Sequence, residues 1–209
     1  MGAILPERVL FRQTDGVGIV ADIGGPIGAP TVVLAHGGGQ TRHSWSGAFN
    51  RLVAEGYRVI NFDARGHGDS DWSGDHRYPA ARRWADMANI LAQAMTPVAV
   101  VGASMGGGTA LYGISQGYRP AALILVDIAP DSERAGMQRV RDFMASGLSG
   151  FASLDDAADA VAAYNPSRPR PKDLSGLKRN LRQRSDRRWY WHWDPGMVDL
   201  DLDKERAIM

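Results

Sequence analysis

Residues 98–108, VAVVGASMGGG, restrict this chain more than any other stretch. Val98, Ala99, Val100 and Val101 form a short apolar run rich in β-branched residues, which reads as a buried strand. From Ser104 the pattern becomes one that a helix can carry, until Gly117 stops it. Ser104 stands at the joint, with Gly102 two residues before it and Gly106 two after. A strand that turns directly into a helix crowds the backbone at the corner, so the flanking positions must lack a β-carbon. The pattern G-x-S-x-G is met in that context, strand before and helix after, and it calls for a layered α/β structure around it.

The rest of the first 130 residues supplies those layers. The stretches 8–13 and 18–23 flank Thr14, Asp15 and Gly16 and read as a hairpin. TVVLA at 31–35 is a buried strand; Trp45, Phe49, Leu52 and Val53 share one helical face, and RVINFD at 58–63 is the next strand. Trp84, Met87, Ala88, Leu91 and Met95 repeat helical spacing up to Pro97, and AALILVD at 121–127 is the last clear strand. Alternation of this kind predicts a mostly parallel twisted sheet with helices on both faces. From Asp131 onward no strand pattern recurs, and 131–147, 153–164 and 173–185 read as helices joined by NPSRPRPK. The expected division is a core over 1–130 and a helical region over 131–209.

The helix that starts after Ser104 points free N–H groups and the positive end of its dipole toward any negative charge developing there, so Ser104 is a candidate nucleophile. The run His36-Gly37-Gly38-Gly39 follows the strand TVVLA directly, and successive glycines let backbone N–H groups approach an oxygen closely. Residues 37–44 carry no lysine where a phosphate loop needs one, and residues 102–108 lack the context of a dinucleotide fingerprint. An oxyanion-binding turn is the remaining reading.

These motifs resemble the α/β-hydrolase superfamily, in its serine hydrolase branch: His36-Gly37 after strand three, Asp63-Ala64-Arg65-Gly66-His67-Gly68-Asp69-Ser70 after strand four, and Gly102-Ala103-Ser104-Met105-Gly106-Gly107 after strand five. They run in order over residues 8 to 127, and WYWHWDP at 189–195 is similar to the cap region of some members. The resemblance implies Ser104 as nucleophile, the N–H groups of Gly38 and Met105 as oxyanion donors, and no cofactor. It argues against dehalogenases and epoxide hydrolases of this fold, which place Asp where this chain has Ser104.

Asp63, Arg65 and His67 lie among glycines of a tight loop and read as residues that satisfy exposed backbone groups. His36, His43 and His76 read as local hydrogen-bonding residues, and no metal site is expected. Members of the superfamily order their triad Ser, acid, His. Only His192 follows Ser104, within the cap-like segment, while Asp127 stands where some relatives keep their acid. Both are weak candidates, and the expectation is that the chain stops before the last strands, with their acid and histidine. A sheet edge at ALILV would then invite self-association.

Composition excludes other classes. Lys and Arg total 24 against 23 Asp and Glu, a balance without a field for nucleic acid or an anionic membrane. There is no cysteine, hence no thiolate nucleophile and no disulfide. The N-terminus lacks a signal-peptide pattern, no run reaches about 18 apolar residues, and a cytoplasmic location is expected. The basic stretch 165–188 reads as a solvated face, with an acidic substrate group as the minor reading. Trp189, Tyr190, Trp191 and Trp193 read as core, or else as a pocket lining. The functional expectation is a hydrolase of ester or related acyl or carbon–carbon bonds acting on a small molecule. A cofactor-free perhydrolase and a non-catalytic binding relative are the alternatives.

Overall fold

A computed structural model describes residues 6–128 and 134–199, apart from 168 and 171. β1 (Glu7–Arg12) and β2 (Gly18–Gly24) form the expected hairpin, with Glu7 opposite Ile23 and Arg12 opposite Gly18. β3 (Thr31–Ala35), β4 (Arg58–Phe62), β5 (Val98–Ala103) and β6 (Ala122–Val126) complete a six-stranded sheet in the order β1-β2-β4-β3-β5-β6. The pairs β4–β3, β3–β5 and β5–β6 are parallel, while β1–β2 and β2–β4 are antiparallel.

Side chains alternate across a strand, so each face of β3 feeds a different core. Val33 joins Ile19, Ile60, Val100, Met87, Ile90 and Ala110 beneath α2 (Ala80–Leu91) and α3 (Met105–Ser115). Val32 and Leu34 pack with Val59, Phe49 and Val53 under α1 (Ser46–Ala54). Helices therefore cover both faces, which is why β3 reads as an unbroken apolar run. β4 and β5 flank β3 on opposite sides, so the strand order reverses there. In open α/β sheets a reversal opens a crevice beyond the carboxyl ends of the strands, and both glycine-rich motifs begin at that end.

Beyond the sheet stand α4 (Arg134–Ser146), α5 (Leu154–Tyr164) and α6 (Ser175–Lys178). Ser153 and Asp156 close a reciprocal capping box on α5. The expected helix over 173–185 is corrected: it ends at Lys178, and β7 (Leu181–Gln183) pairs antiparallel with β8 (Trp189–Trp191). Leu181 lies opposite Trp191 and both are buried. Cross-strand packing against a large aromatic outweighs a helical spacing of leucines, because strand preference is set by what the side chains meet. The end of the expected core, 129–130, and the stretches 131–133 and 200–209 of the expected helical region lie outside the described residues.

Among the described residues β6 is the last strand on its side of the sheet, with Ile124 44% and Val126 40% exposed. No helix among the described residues is long and apolar enough to cross a membrane.

Candidate active site

Ser104 sits between β5 and α3 with φ 42° and ψ −111°, a conformation that L-residues avoid unless the surroundings impose it. Two backbone hydrogen bonds impose it here: Ser104 N–H donates to the Val126 carbonyl at 3.0 Å, and its own carbonyl accepts from Gly108 N–H at 2.9 Å. The corner is as crowded as its glycines imply. A β-carbon on Gly102 would lie 2.6 Å from the backbone of Gly107, and one on Gly106 would lie 2.5 Å from the Ala35 carbonyl oxygen. Met105 opens α3, and its N–H has no acceptor among the described residues. The side chain of Ser104 is half-buried, and its hydroxyl makes no hydrogen bond among the described residues.

The turn after β3 abuts this corner, since a β-carbon on Gly37 would stand 3.4 Å from Ser104 Cβ. Its amides are not equivalent. Gly37 N–H donates to Gln40 Oε1 at 3.1 Å, and Gly39 N–H donates to His67 Nε2 at 3.1 Å. Among the described residues Gly38 N–H alone of the three glycine amides has no acceptor. Its direction follows from the peptide plane, in which C=O and N–H point opposite ways. The Gly37 carbonyl is held inward by Gln40 N–H at 3.1 Å and by His36 Nδ1 at 2.8 Å, so the Gly38 N–H faces the other way.

Three imidazoles support the turn. His36 Nε2 accepts from Ala64 N–H at 2.9 Å, which leaves its proton on Nδ1. His67 lies beside it, ring centroids 5.1 Å apart, and His192 follows at 5.8 Å from His67. His192 Nδ1 accepts from Gly68 N–H at 2.6 Å. Burial pushes all three rings toward the neutral form: His36 is lowered, His67 lies well below the usual histidine range, and His192 falls to about 3. For His67 and His192 the neighbouring imidazoles act in the same direction. His192 thus has its acceptor nitrogen occupied, and its other nitrogen is a buried N–H on the side of the Gly39 backbone. This is the environment of a structural acceptor rather than of a base. Asp127 follows β6 with φ 54°, one residue beyond the Val126 carbonyl that anchors Ser104, and is exposed.

The other members of the D-x-R-G-H-G-x-S run satisfy their surroundings. Asp63 accepts from Arg42 N–H at 2.7 Å and from Asp69 N–H at 2.9 Å, and it pairs with the Arg42 guanidinium. Ser70 Oγ donates to the Asp63 carbonyl at 2.7 Å and accepts from Val20 N–H at 2.9 Å. Sequence reasoning passed over Gln40 and Arg42, whose partners lie in other turns, and it passed over Asp194. That buried carboxylate receives His76 Nδ1 at 2.6 Å and the Tyr78 hydroxyl, and it joins the loop before α2 to the segment after β8. No local pattern around Asp194 announces those contacts.

Trp191 and Trp193 stack at 4.7 Å and are buried, so these two belong to a core. That core rests on the glycine turn: a β-carbon on Gly39 would meet the Trp193 ring at 3.2 Å, and one on Gly38 would meet Met144 Sδ at 3.9 Å. The basic stretch is largely engaged. Arg170 pairs with Asp155 and Asp159, Arg182 with Asp69, and Arg184 lies 3.9 Å over the Tyr190 ring.

Residues 32–206 match the model of a family described as the alpha/beta hydrolase family. The chain belongs to that family. This alpha/beta hydrolase is similar to the esterase Rv0045c of Mycobacterium tuberculosis, with 30% identity over 174 residues, covering 79% of this chain and 57% of the esterase. It is also similar to a probable protein phosphatase methylesterase 1 of Caenorhabditis elegans, at 28% identity over 79% of this chain and 48% of that one. The chain spans about half the length of these curated relatives. Among solved structures, an alpha/beta hydrolase from Novosphingobium aromaticivorans superimposes with a TM-score of 0.81 at 24% identity, over 97% of this chain and 73% of that chain. At that identity the likeness establishes the fold.

Proposed function

We propose that this alpha/beta hydrolase carries the nucleophile and oxyanion half of an esterase-type site, acting on a small acyl substrate without a cofactor. Ser104 Oγ attacks the acyl carbonyl carbon, the carbonyl π pair moves onto oxygen, and the N–H groups of Gly38 and Met105 receive that oxyanion. Collapse re-forms the carbonyl and breaks the carbon–oxygen bond of the ester; the leaving oxygen departs as the alcohol with the proton that Ser104 gives up, and water then cleaves the acyl-serine to the acid and restores the hydroxyl. The observation that carries the reading is the pairing of a strained, uncommitted serine hydroxyl with two neighbouring amides that have no other acceptor among the described residues. Similarity to an esterase and a methylesterase supports the same class.

Transfer of the serine proton is the step for which four of the five imidazoles are already engaged. His36, His67 and His192 have their acceptor nitrogens on backbone amides, and His76 Nδ1 faces Asp194. Without a base, a site of this kind keeps roughly 10³–10⁴-fold of rate over water from oxyanion binding and positioning. The same observation favours a second reading, a relative that binds an acyl ligand without turning it over. A fluorophosphonate probe separates them: labelling that disappears in Ser104→Ala supports the enzyme, and no labelling of folded protein supports the binder.

We also infer that the open side of β6 pairs with a second copy of the chain, because Ile124 and Val126 stand exposed on a strand without charge or proline.

A further inference from the structure

We propose that His67 is the positioning residue of the oxyanion turn: by taking the N–H of Gly39 it leaves Gly38, among the described residues, as the one glycine amide of that turn still free to serve Ser104 beside the N–H of Met105. The inference rests on the oxyanion reading of that turn and adds a residue from a different loop.

A backbone N–H can only donate, so the contact from Gly39 makes His67 Nε2 the acceptor and places the ring proton on Nδ1, which faces the Arg65 carbonyl at 3.2 Å. Both ring nitrogens are then matched, and the ring is wholly buried between His36 and His192. The consequence for the turn is directional. The peptide joining Gly38 to Gly39 points its N–H toward His67, whereas the peptide joining Gly37 to Gly38 points its carbonyl toward His36 and Gln40 and its N–H away. Successive planes are thus pinned in opposite senses. A run of three glycines has no side chains with which to hold such an arrangement, and the imidazole from the loop after β4 does it instead. With that acceptor removed, the Gly38–Gly39 peptide is free to rotate, the Gly39 amide turns to another acceptor, and the donor direction at Gly38 is lost with it.

The role differs from that of a packing residue in what rescues it. His67→Gln keeps an acceptor oxygen near the Nε2 position, His67→Asn keeps a polar amide that stops short of it, and His67→Phe keeps an aromatic ring with no acceptor. Labelling by a fluorophosphonate probe should slow by about tenfold or more in the Phe and Asn variants, since misplacing a catalytic group by about 1 Å costs on the order of 10²-fold. The Gln variant should stay within about threefold of the parent, a smaller misplacement on the same scale. In parallel, amide exchange measured by nuclear magnetic resonance should find Gly39 protected and Gly38 unprotected in the parent and in the Gln variant, with Gly39 exchanging about tenfold faster in the others, the change expected when a buried hydrogen bond is lost.

Labelling that is insensitive to all three substitutions, or a Gly39 amide unprotected in the parent, overturns the proposal. Should the parent not label at all, the esterase reading falls, and the exchange arm by itself decides whether His67 holds the turn. If the Phe variant does not fold, the Asn and Gln pair still separates acceptor loss from packing loss.

Discussion

Arg65 and Asp86 face each other through two hydrogen bonds of 2.5 Å, guanidinium against carboxylate, with both side chains buried between the loop after β4 and α2. Arg65 reaches further, to Asp15 at 2.9 Å and Ser73 Oγ at 3.2 Å, so one cation ties the β1–β2 turn and the loop before α2 to the same point. Removing a single partner leaves the other charge stranded. Asp86→Ala should destabilise the fold by about 3–5 kcal/mol, the range for breaking a buried pair. Urea unfolding checks this, and a loss below about 1 kcal/mol would show that Asp15 suffices as counter-ion, as in an exposed pair.

Acid should weaken the protein before its carboxylates titrate. His36, His43, His67 and His192 are all held below the ordinary histidine range, with burial the largest cause in each. The unfolded chain protonates these rings near pH 6.5, and the folded chain does so only at lower pH, near about 3 for His192. Their contribution is therefore present above pH 6.5 or so and is lost as pH falls below it, with a slope of up to about 1.4 kcal/mol per pH unit for each ring. Melting temperature recorded from pH 7.5 to 4.5 should fall steadily, and His192→Gln should flatten the slope relative to the parent. A profile level across that interval would contradict the neutral assignment.

Glycine substitutions should divide by location. Gly106→Ala drives a methyl to 2.5 Å from the Ala35 carbonyl oxygen and should cost at least about 2 kcal/mol, an overpacking penalty against rigid backbone. Gly47→Ala, inside α1 with open space around it, should stabilise by about 0.5–1 kcal/mol through the unfolded state and helix propensity. Thermal denaturation of both variants checks the contrast, and equal effects would mean that the corner is looser than its contacts imply.

If β6 pairs with a second copy, charge on its exposed face should prevent that pairing. Ile124→Lys should give a smaller species in sedimentation velocity at the same concentration, with fold and melting temperature retained. An unchanged sedimentation coefficient, with the parent already monomeric, would place the apolar edge outside any self-contact.

How much of this was legible in the residues depended on how far each feature reaches along the chain. The strand at 31–35, the strand expected over 58–63 and found over 58–62, the helix opened by Met105 and the bent serine between its glycines are dictated by spacing and sterics within about ten neighbours. The hairpin of β7 and β8 was not legible, because Leu181 is drawn into a strand by Trp191, ten positions away on a facing strand that helical spacing does not register. The histidines show the same division more sharply. His67 read as a residue that satisfies its own loop and His192 as a weak triad candidate, yet the amides they take join Gly39 to His67 and Gly68 to His192, across separations of 28 and 124 residues. By itself the sequence determined the α/β layering and the serine corner, since both follow from short-range periodicity and crowding. Only the tertiary structure decided which backbone N–H groups stay free beside Ser104, because a donor's freedom is set by whichever distant acceptor packing brings within hydrogen-bond reach.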